Sequence, residues 1–468
     1  MADAGHGPMR PVPFPVTNPE RIPTQRYYDA EFFELEREYL WPRVWQMACR
    51  LEEIPEVGDW VEYKILEWSI IVIRAQSGVK AFHNTCRHRG VQLASGGHGN
   101  CEVQGFQCPF HGWRWTMEGK NSFVFKPELF SDEQLDPADL DLIPCRVELW
   151  GGCAFINMDP DAAPLMEHIQ PYADRLDTRN IGEMKMEWWV STILPTNWKL
   201  AMEAFMEGYH TMRTHPQLVH PTQRGDKAVY GPREFADASL RLKPYKTSRE
   251  MVENAIHQMK TLSIGMGGMI HATDIAVAEA IKDEVELPDD IQAAEIHWYR
   301  TLNDEITKRA RARGVPIPDL NEAAAKHVIS PVQFCFPHYF LLPVYGNASS
   351  YRIRPLTPET CLFELYSLTL MPEGHKQPRL TAPEPIPHDD PRFPPIPLQD
   401  YSNLPLQQIG LHGRGFEFMR LARDVEGLIS NYHRLIDGFL SGVEQDKLVA
   451  ATRIVSSPFE VAIEDIGF

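Results

Sequence analysis

The spacing of apolar and polar positions changes along this 468-residue chain, and each change predicts a different kind of element. Residues 1–26 are Pro-rich and predict an extended arm. Asp29 is placed to cap a helix running to about Leu40, with Phe32, Phe33, Leu35, Glu36 and Tyr39 at helical spacing. The pattern then turns strand-like. Residues 59–65, 69–75 and 79–83 predict short strands rich in Val, Ile and Trp, with Gln76-Ser77-Gly78 as a turn. Residues 146–157 predict a strand pair hinged at Gly151-Gly152. Asp159-Pro160 through Ala163-Pro164 marks the exit from this all-β region. Beyond it, 185–194 predicts a strand and 197–214 a helix. Asp290 caps a long helix to about Arg313, stopped at Gly314. Aromatic-rich strands follow at 332–345 and 348–371, and a helix or helix pair at 415–440. Residues 373–405 are rich in Pro. Phe393, Ile396, Leu398 and Tyr401 within them point to an ordered surface crossing rather than a flexible linker. The organisation expected is an arm and helix over 1–42 packed on the larger domain, an all-β domain over 43–160, and a larger domain over 161–468. Ile264-Gly265-Met266-Gly267-Gly268-Met269 lacks the strand and the Gly-Lys-Ser/Thr signal of a phosphate loop.

Four residues in the all-β region carry the first chemical signal. Cys86 and His88 form a Cys-x-His unit. After nineteen intervening residues (89–107), Cys108 and His111 form Cys-x-x-His. A [2Fe–2S] cluster with two Cys on one iron and two His on the other needs this ligand set, and neutral imidazole in place of thiolate raises its reduction potential. Gly90, Pro109 and Gly112 beside the ligands suit two tight loops. A structural zinc site also uses Cys and His, but a Cys₂His₂ finger keeps its Cys together and its His together. The interleaved order therefore favours a Rieske cluster. His98 reads as a solvated loop residue and Cys101 as a small packed one.

Composition narrows the class. A formal net charge of −18 disfavours nucleic acid and anionic membrane surfaces. No twenty-residue apolar run predicts a membrane span, and the first residues do not resemble a secretory leader. The remaining cysteines are dispersed in apolar contexts, as buried free thiols in a reducing cytoplasm are. A cytoplasmic protein is the expectation.

A second metal site is suggested by the segment Asn197-Trp198-Lys199 through His215-Pro216. His210 and His215 are five apart, about 140° around an ideal helix, so binding one metal requires a loosened last turn. Pro216 supplies it by pushing residue 215 out of the helical region. Glu207, three residues before His210, can accept from its non-ligating nitrogen. Two His and one carboxylate form the facial triad of non-haem Fe(II) oxygenases. The carboxylate comes from Asp400 or Asp446. Asp400 is favoured, because apolar residues follow it, whereas Asp446 lies in a polar run.

With both motifs present, the chain resembles the catalytic (α) subunit of Rieske non-haem iron aromatic-ring-hydroxylating oxygenases over about residues 27–440. The resemblance is carried by the cluster motif, by Asn197-Trp198-Lys199, Glu207-Gly208-Tyr209-His210 and His215-Pro216, and by Asp400-x-x-Asn403, Gln408-x-Gly410-Leu411, Gly415, Glu426 and His433. It implies an α+β chain: an all-β Rieske [2Fe–2S] domain plus a helix-grip (START/Bet v1-like) catalytic domain with a curved antiparallel sheet. It implies one [2Fe–2S] cluster on Cys86, His88, Cys108 and His111, and one Fe(II) on His210, His215 and Asp400. It implies a homotrimer in which Glu207 bridges His111 of one subunit and His210 of the next, with a β subunit as a possible companion. Electrons would come from NAD(P)H through a reductase, with or without a ferredoxin. The expected function is a terminal oxygenase that hydroxylates or dihydroxylates an aromatic or polycyclic hydrophobic substrate. The alternatives are O- or N-demethylation by a monooxygenase, a non-catalytic Rieske electron carrier, and a zinc-stabilised binding protein. Phe205, Met206, Phe336 and Tyr339 are candidate pocket residues that core packing would explain equally well. The chain departs from the family at Glu207, where Asp is frequent, and at Ala204, where Asn is frequent.

Overall fold

The computed structural model describes residues 9–219, 245–327, 331–459 and 461–468. Residues 1–8, which bear on the expected lack of a secretory leader, lie outside them. Among the described residues no helix is long and apolar enough to cross a membrane. The chain forms two compact units. One is Arg37–Glu167 with Lys376–Pro383, and the other is Met1–Glu36, His168–His375 and Glu384–Phe468.

The first unit is built on a seven-stranded antiparallel sheet. Its order is Gln46–Arg50, Cys153–Asn157, Pro144–Trp150, Gly78–His83, Trp68–Ala75, Asp59–Ile65 and His98–Asn100. Ile70, Ile71, Val72 and Ile73 are all buried, so the strand Trp68–Ala75 is packed on both faces. A small sheet of Phe106–Gln107, Arg114–Trp115 and Asn121–Phe123 follows. Trp60, Phe82, Trp113 and Trp115 join Cys86 and Cys108 in one apolar core. Lys376–Pro383 also belongs here. Arg379 holds it, with Nη1 2.7 Å from Asp59 Oδ1 and Nη2 donating to the Trp60 and Gly99 carbonyls. Residues 37–42, 161–167 and 376–383 thus pack with the all-β unit, although the sequence places the first in the arm and the others in the larger domain.

The second unit is built on a five-stranded antiparallel sheet. Its order is Met184–Leu194, Thr360–Leu370, Asn347–Thr357, Tyr339–Val344 and Gln333–Cys335. The long strands curve into a half-barrel, and the helix Gly427–Ser441 packs on it through Tyr432, whose ring lies 5.7 Å from Phe334. Asp290 caps Ile291–Ala312 as expected, accepting from the Ala293 N–H at 2.8 Å. Asp29 caps Ala30–Leu35 in the same way.

Three expected elements are altered. The helix expected over 197–214 is broken into Trp198–Glu203 and Thr211–Thr214. Of the expected helix 415–440, residues 415–426 are not helical. Phe418–Arg420 pairs instead with Arg21–Pro23 of the arm, and the helix starts at Gly427. The Pro-rich crossing contains a helix, Pro395–Tyr401, and buries Phe393, Ile396 and Tyr401.

Candidate metal centres

The two cluster loops repeat one turn. The Gly90 N–H donates to the Cys86 carbonyl and the Gly112 N–H to the Cys108 carbonyl, both at 3.0 Å. Both glycines take positive φ (76° and 72°), where a Cβ would strain the backbone. The loops bring the two thiols into hydrogen-bonding contact. Burial pushes the Cys86 thiol up, against the His88 and Arg89 backbone N–H groups that aim at its sulfur. The His88 and His111 rings lie 4.7 Å apart, and Trp113 stacks on His88 at 4.9 Å and 10°. Burial, then His111 and Arg89, lowers the His88 pKa.

Nδ1 of both histidines is buried without a hydrogen-bond partner. Such an atom costs about 1–3 kcal/mol unless something binds it. The donors also do not gather round one point. The one group of three or more His, Cys, Asp or Glu donor atoms lying within 4.8 Å of one another, among the described residues, is at another site. A single tetrahedral zinc would draw its ligands closer than this. Two thiols in contact and two unpartnered imidazole nitrogens, which do not close into one group, fit a two-iron cluster.

That other site joins His210, His215 and Asp400. Asn197 starts the approach, its Oδ1 accepting from the Lys199 N–H at 2.8 Å. The fully buried helix Trp198–Glu203 then ends, and Glu207 anchors the turn at His210, the residue before the next helix, Thr211–Thr214. Its Oε2 accepts from the His210 backbone N–H at 2.9 Å and its Oε1 lies 2.7 Å from His210 Nδ1. His215 leaves the helix at φ −124°, ψ 58°, before Pro216. Its Nδ1 lies 2.7 Å from Gln399 Oε1. Each ring thus gives its Nδ1 proton to a side-chain oxygen and turns Nε2 inward. Asp400 Oδ1 lies 3.0 Å from His215 Nε2 and 3.8 Å from His210 Nε2. Asp400 is 4% exposed. Asp446 lies exposed in the first turn of Gln445–Val455 and is not part of this group. Two nitrogen lone pairs and a buried carboxylate converging from one side fit a divalent iron.

The pocket residues predicted from sequence are scattered. Phe205 stands in an aromatic group, 4.6 Å from the Tyr351 ring, 5.7 Å from Phe363 and 5.9 Å from Phe340. Met206 is fully buried. Phe336 packs on Tyr432 and Phe439 of the helix Gly427–Ser441. Tyr339 pairs in register with Arg352, so it faces away from Tyr351 on the other side of the sheet. Strand alternation could have shown this. Sequence reasoning missed Gln399, Tyr351 and Phe363. Asp400 helps keep Tyr351 protonated, after burial, so that hydroxyl belongs near the site. A cavity of about 480 Å³ opens on the Glu207 side, lined by Glu203, Glu207, Glu426, Leu411, Phe416 and Ile429 among others.

The sheet unit, the half-barrel unit and the two donor sets together define a Rieske non-haem iron oxygenase. The chain belongs to the family of ring-hydroxylating alpha subunits: the model of that catalytic domain matches residues 173–442, and the Rieske [2Fe-2S] domain matches residues 44–126. A carnitine monooxygenase oxygenase subunit of Acinetobacter baumannii is 28% identical over 241 residues, 49% of this chain and 64% of that protein. A biphenyl dioxygenase alpha subunit of Paraburkholderia xenovorans is 31% identical over 200 residues, 40% of this chain and 43% of that protein. The chain therefore spans less than two thirds of either relative. The crystal structure of a quaternary ammonium Rieske monooxygenase in complex with L-carnitine shares the fold, with a TM-score of 0.56 and 17% identity over 92% of this chain and 99% of that one.

Proposed function

We propose that this chain is the terminal oxygenase of a multicomponent system, using O₂ and electrons that a reductase, with or without a ferredoxin, draws from NAD(P)H. The observation that carries this reading is the convergence of His210 Nε2, His215 Nε2 and Asp400 Oδ1 in a chain that also pairs two buried thiols with two unpartnered imidazole nitrogens. His210, His215 and Asp400 would hold the iron, and Cys86, Cys108, His88 and His111 the cluster. Bound there, the cluster supplies single electrons and the iron supplies open positions for dioxygen. Glu207 and Gln399 keep the two rings in the Nδ1–H form and aim their other nitrogens.

Glu207 also lines an acidic cavity, while the cluster loops expose Phe110 beside Arg89, with the guanidinium 5.5 Å from the ring. These complementary surfaces support docking of one copy's cluster loops on another's Glu207, in a homotrimer where Glu207 bridges the second copy's His111 to His210.

The aromatic group of Phe205, Phe340, Tyr351 and Phe363 supports an aromatic or polycyclic hydrophobic substrate, hydroxylated or dihydroxylated. Such walls also attract a quaternary ammonium group through their π faces. The second reading is therefore monooxygenation of a trimethylammonium compound. Mass spectrometry of products from the reconstituted enzyme, with polycyclic hydrocarbons and carnitine as substrates, tests both. An O₂-derived hydroxyl on neither class would overturn the two readings. Iron and sulfide analysis tests the enzyme class: about three irons per chain with acid-labile sulfide are expected. Two irons would indicate an electron carrier, and zinc without sulfide a binding protein.

A further inference from the structure

The helix leading to Glu207 ends in a carboxyl that the oxygenase reading does not use. Glu203 is 5% exposed. Its Oε1 accepts from the Tyr27 hydroxyl at 2.9 Å and from His433 Nε2 at 2.7 Å. The donor assignment is fixed by the next residue in the network. The Arg26 guanidinium donates through Nε to His433 Nδ1 at 3.1 Å, so His433 is neutral and carries its proton on Nε2. Burial, then the charges of Arg26 and Lys199, holds His433 well below its ordinary range.

The charges of this buried network already balance without Glu203. Arg26 pairs with Asp437 and Lys199 with Glu36, at 2.5 and 2.6 Å. An ionised Glu203 would be the surplus charge, beside the neutral hydroxyls of Tyr27 and Tyr432. Oε2 takes no protein hydrogen bond among the described residues, and the side chain lines the same cavity as Glu207, Glu426 and one cation, Arg420. Burial pushes the Glu203 carboxyl up to about 8, with Glu426 adding to it and the Tyr27 hydrogen bond, Lys199 and Arg26 opposing it. Burial raises Glu426 as well, and Glu207 adds to that.

We propose that Glu203 is a proton-dependent positioning residue: it must carry a proton for an electron to enter beside Glu207, and its ionisation hinders that entry by adding a negative charge to the shared cavity. The step is acid dissociation alone, with the proton passing between the carboxyl and cavity water. The electron comes from the reductase already named. The inference rests on the proposed bridging role of Glu207.

The test uses the reduced, substrate-bound holoenzyme mixed with O₂, following re-oxidation of the cluster across a pH series. In the wild type the rate is expected to fall about tenfold as pH rises through and beyond about 8. In Glu203→Gln, which keeps the shape of the protonated acid, the rate should lose its dependence on pH over that range. Glu203→Asp should restore it. An infrared band of a protonated carboxyl should be present in the wild type near neutral pH, disappear on alkaline titration, and be missing from Glu203→Gln. A wild-type pH profile in Glu203→Gln would overturn the proposal, as would the lack of any titrating carboxyl band in the wild type. The second measurement stands even where the variant does not fold. If Glu207→Ala turns over normally, the bridge reading fails and this proposal with it. If Glu207→Ala is inactive and Glu203→Gln keeps the wild-type profile, this proposal alone fails.

Discussion

Replacing Gln399 by Leu isolates what an outer partner contributes to the triad. Gln399 is 8% exposed, and its Oε1 lies 2.7 Å from both His215 Nδ1 and Gln217 Nε2. Leu fills a similar volume and accepts nothing. Two buried N–H donors lose their partner, at about 1–3 kcal/mol each, so the metal-free protein should lose about 2–6 kcal/mol of stability. His215 also loses the acceptor that fixes its tautomer and aims Nε2 at Asp400. Loss of such a partner weakens metal binding about 10- to 100-fold, or about 1.4–2.8 kcal/mol. Fe(II) titration against a competing chelator measures the second effect, and denaturant unfolding of the metal-free protein measures the first. Gln399→Glu keeps an acceptor in place and should hold iron far better than Gln399→Leu. If Gln399→Leu binds iron within about threefold of the wild type, Gln399 does not hold the His215 ring for the metal, since that loss is well under the expected range. If its stability is also unchanged, the two hydrogen bonds do not exist in solution.

The two donor sets differ in how far the sequence exposes them. Cys86, His88, Cys108 and His111 stand on two local turns, each closed by a glycine four residues after its cysteine, so spacing alone carries the geometry. The central strands are equally plain, because the short β-branched run Ile70-Ile71-Val72-Ile73 suits a strand buried on both faces. The break before His210 is hidden. Ala204, Phe205 and Met206 suit a helix, and the break comes from Glu207 capping the His210 N–H with its own side chain. Asp400 stands out in the sequence by the apolar residues that follow it, but Gln399 beside it is hidden by prolines that read as a crossing. Pro395 instead occupies the first turn of a helix, where its missing N–H costs nothing. The pairing of Arg21–Pro23 with Phe418–Arg420 and the contacts among Arg26, Glu203 and His433 join residues far apart in sequence. Local pattern has no access to such partners, and the helix expected from Gly415 yields to one of them.

Three further outcomes are expected. Glu207→Ala should keep both metals, by iron and sulfide analysis, yet abolish product formation; turnover near the wild-type rate would refute the bridge. Asp400→Ala should lose the mononuclear iron and keep the EPR signal of the reduced cluster, while Asp446→Ala loses neither; the reverse would move the ligand to Asp446. The third concerns Glu364, buried between Arg352, at 2.7 Å through Nε and Nη2, and Arg354 at 3.1 Å. Burial alone would raise its carboxyl, but the two guanidinium charges outweigh this and hold it at about 2, against an ordinary 4.5. The unfolded chain therefore binds the proton more tightly than the native one, so this group's contribution is complete above about pH 4.5 and is lost as pH falls toward 2. A gap of that size is worth about 3 kcal/mol. Glu364→Gln should lose about 3–5 kcal/mol at neutral pH, because two buried arginines lose their counter-charge, and its unfolding midpoint should fall less steeply with acid than that of the wild type. Acid release of the metals occurs in both proteins and cancels in the comparison. Equal acid slopes would mean that Glu364 is not ionised in the native state.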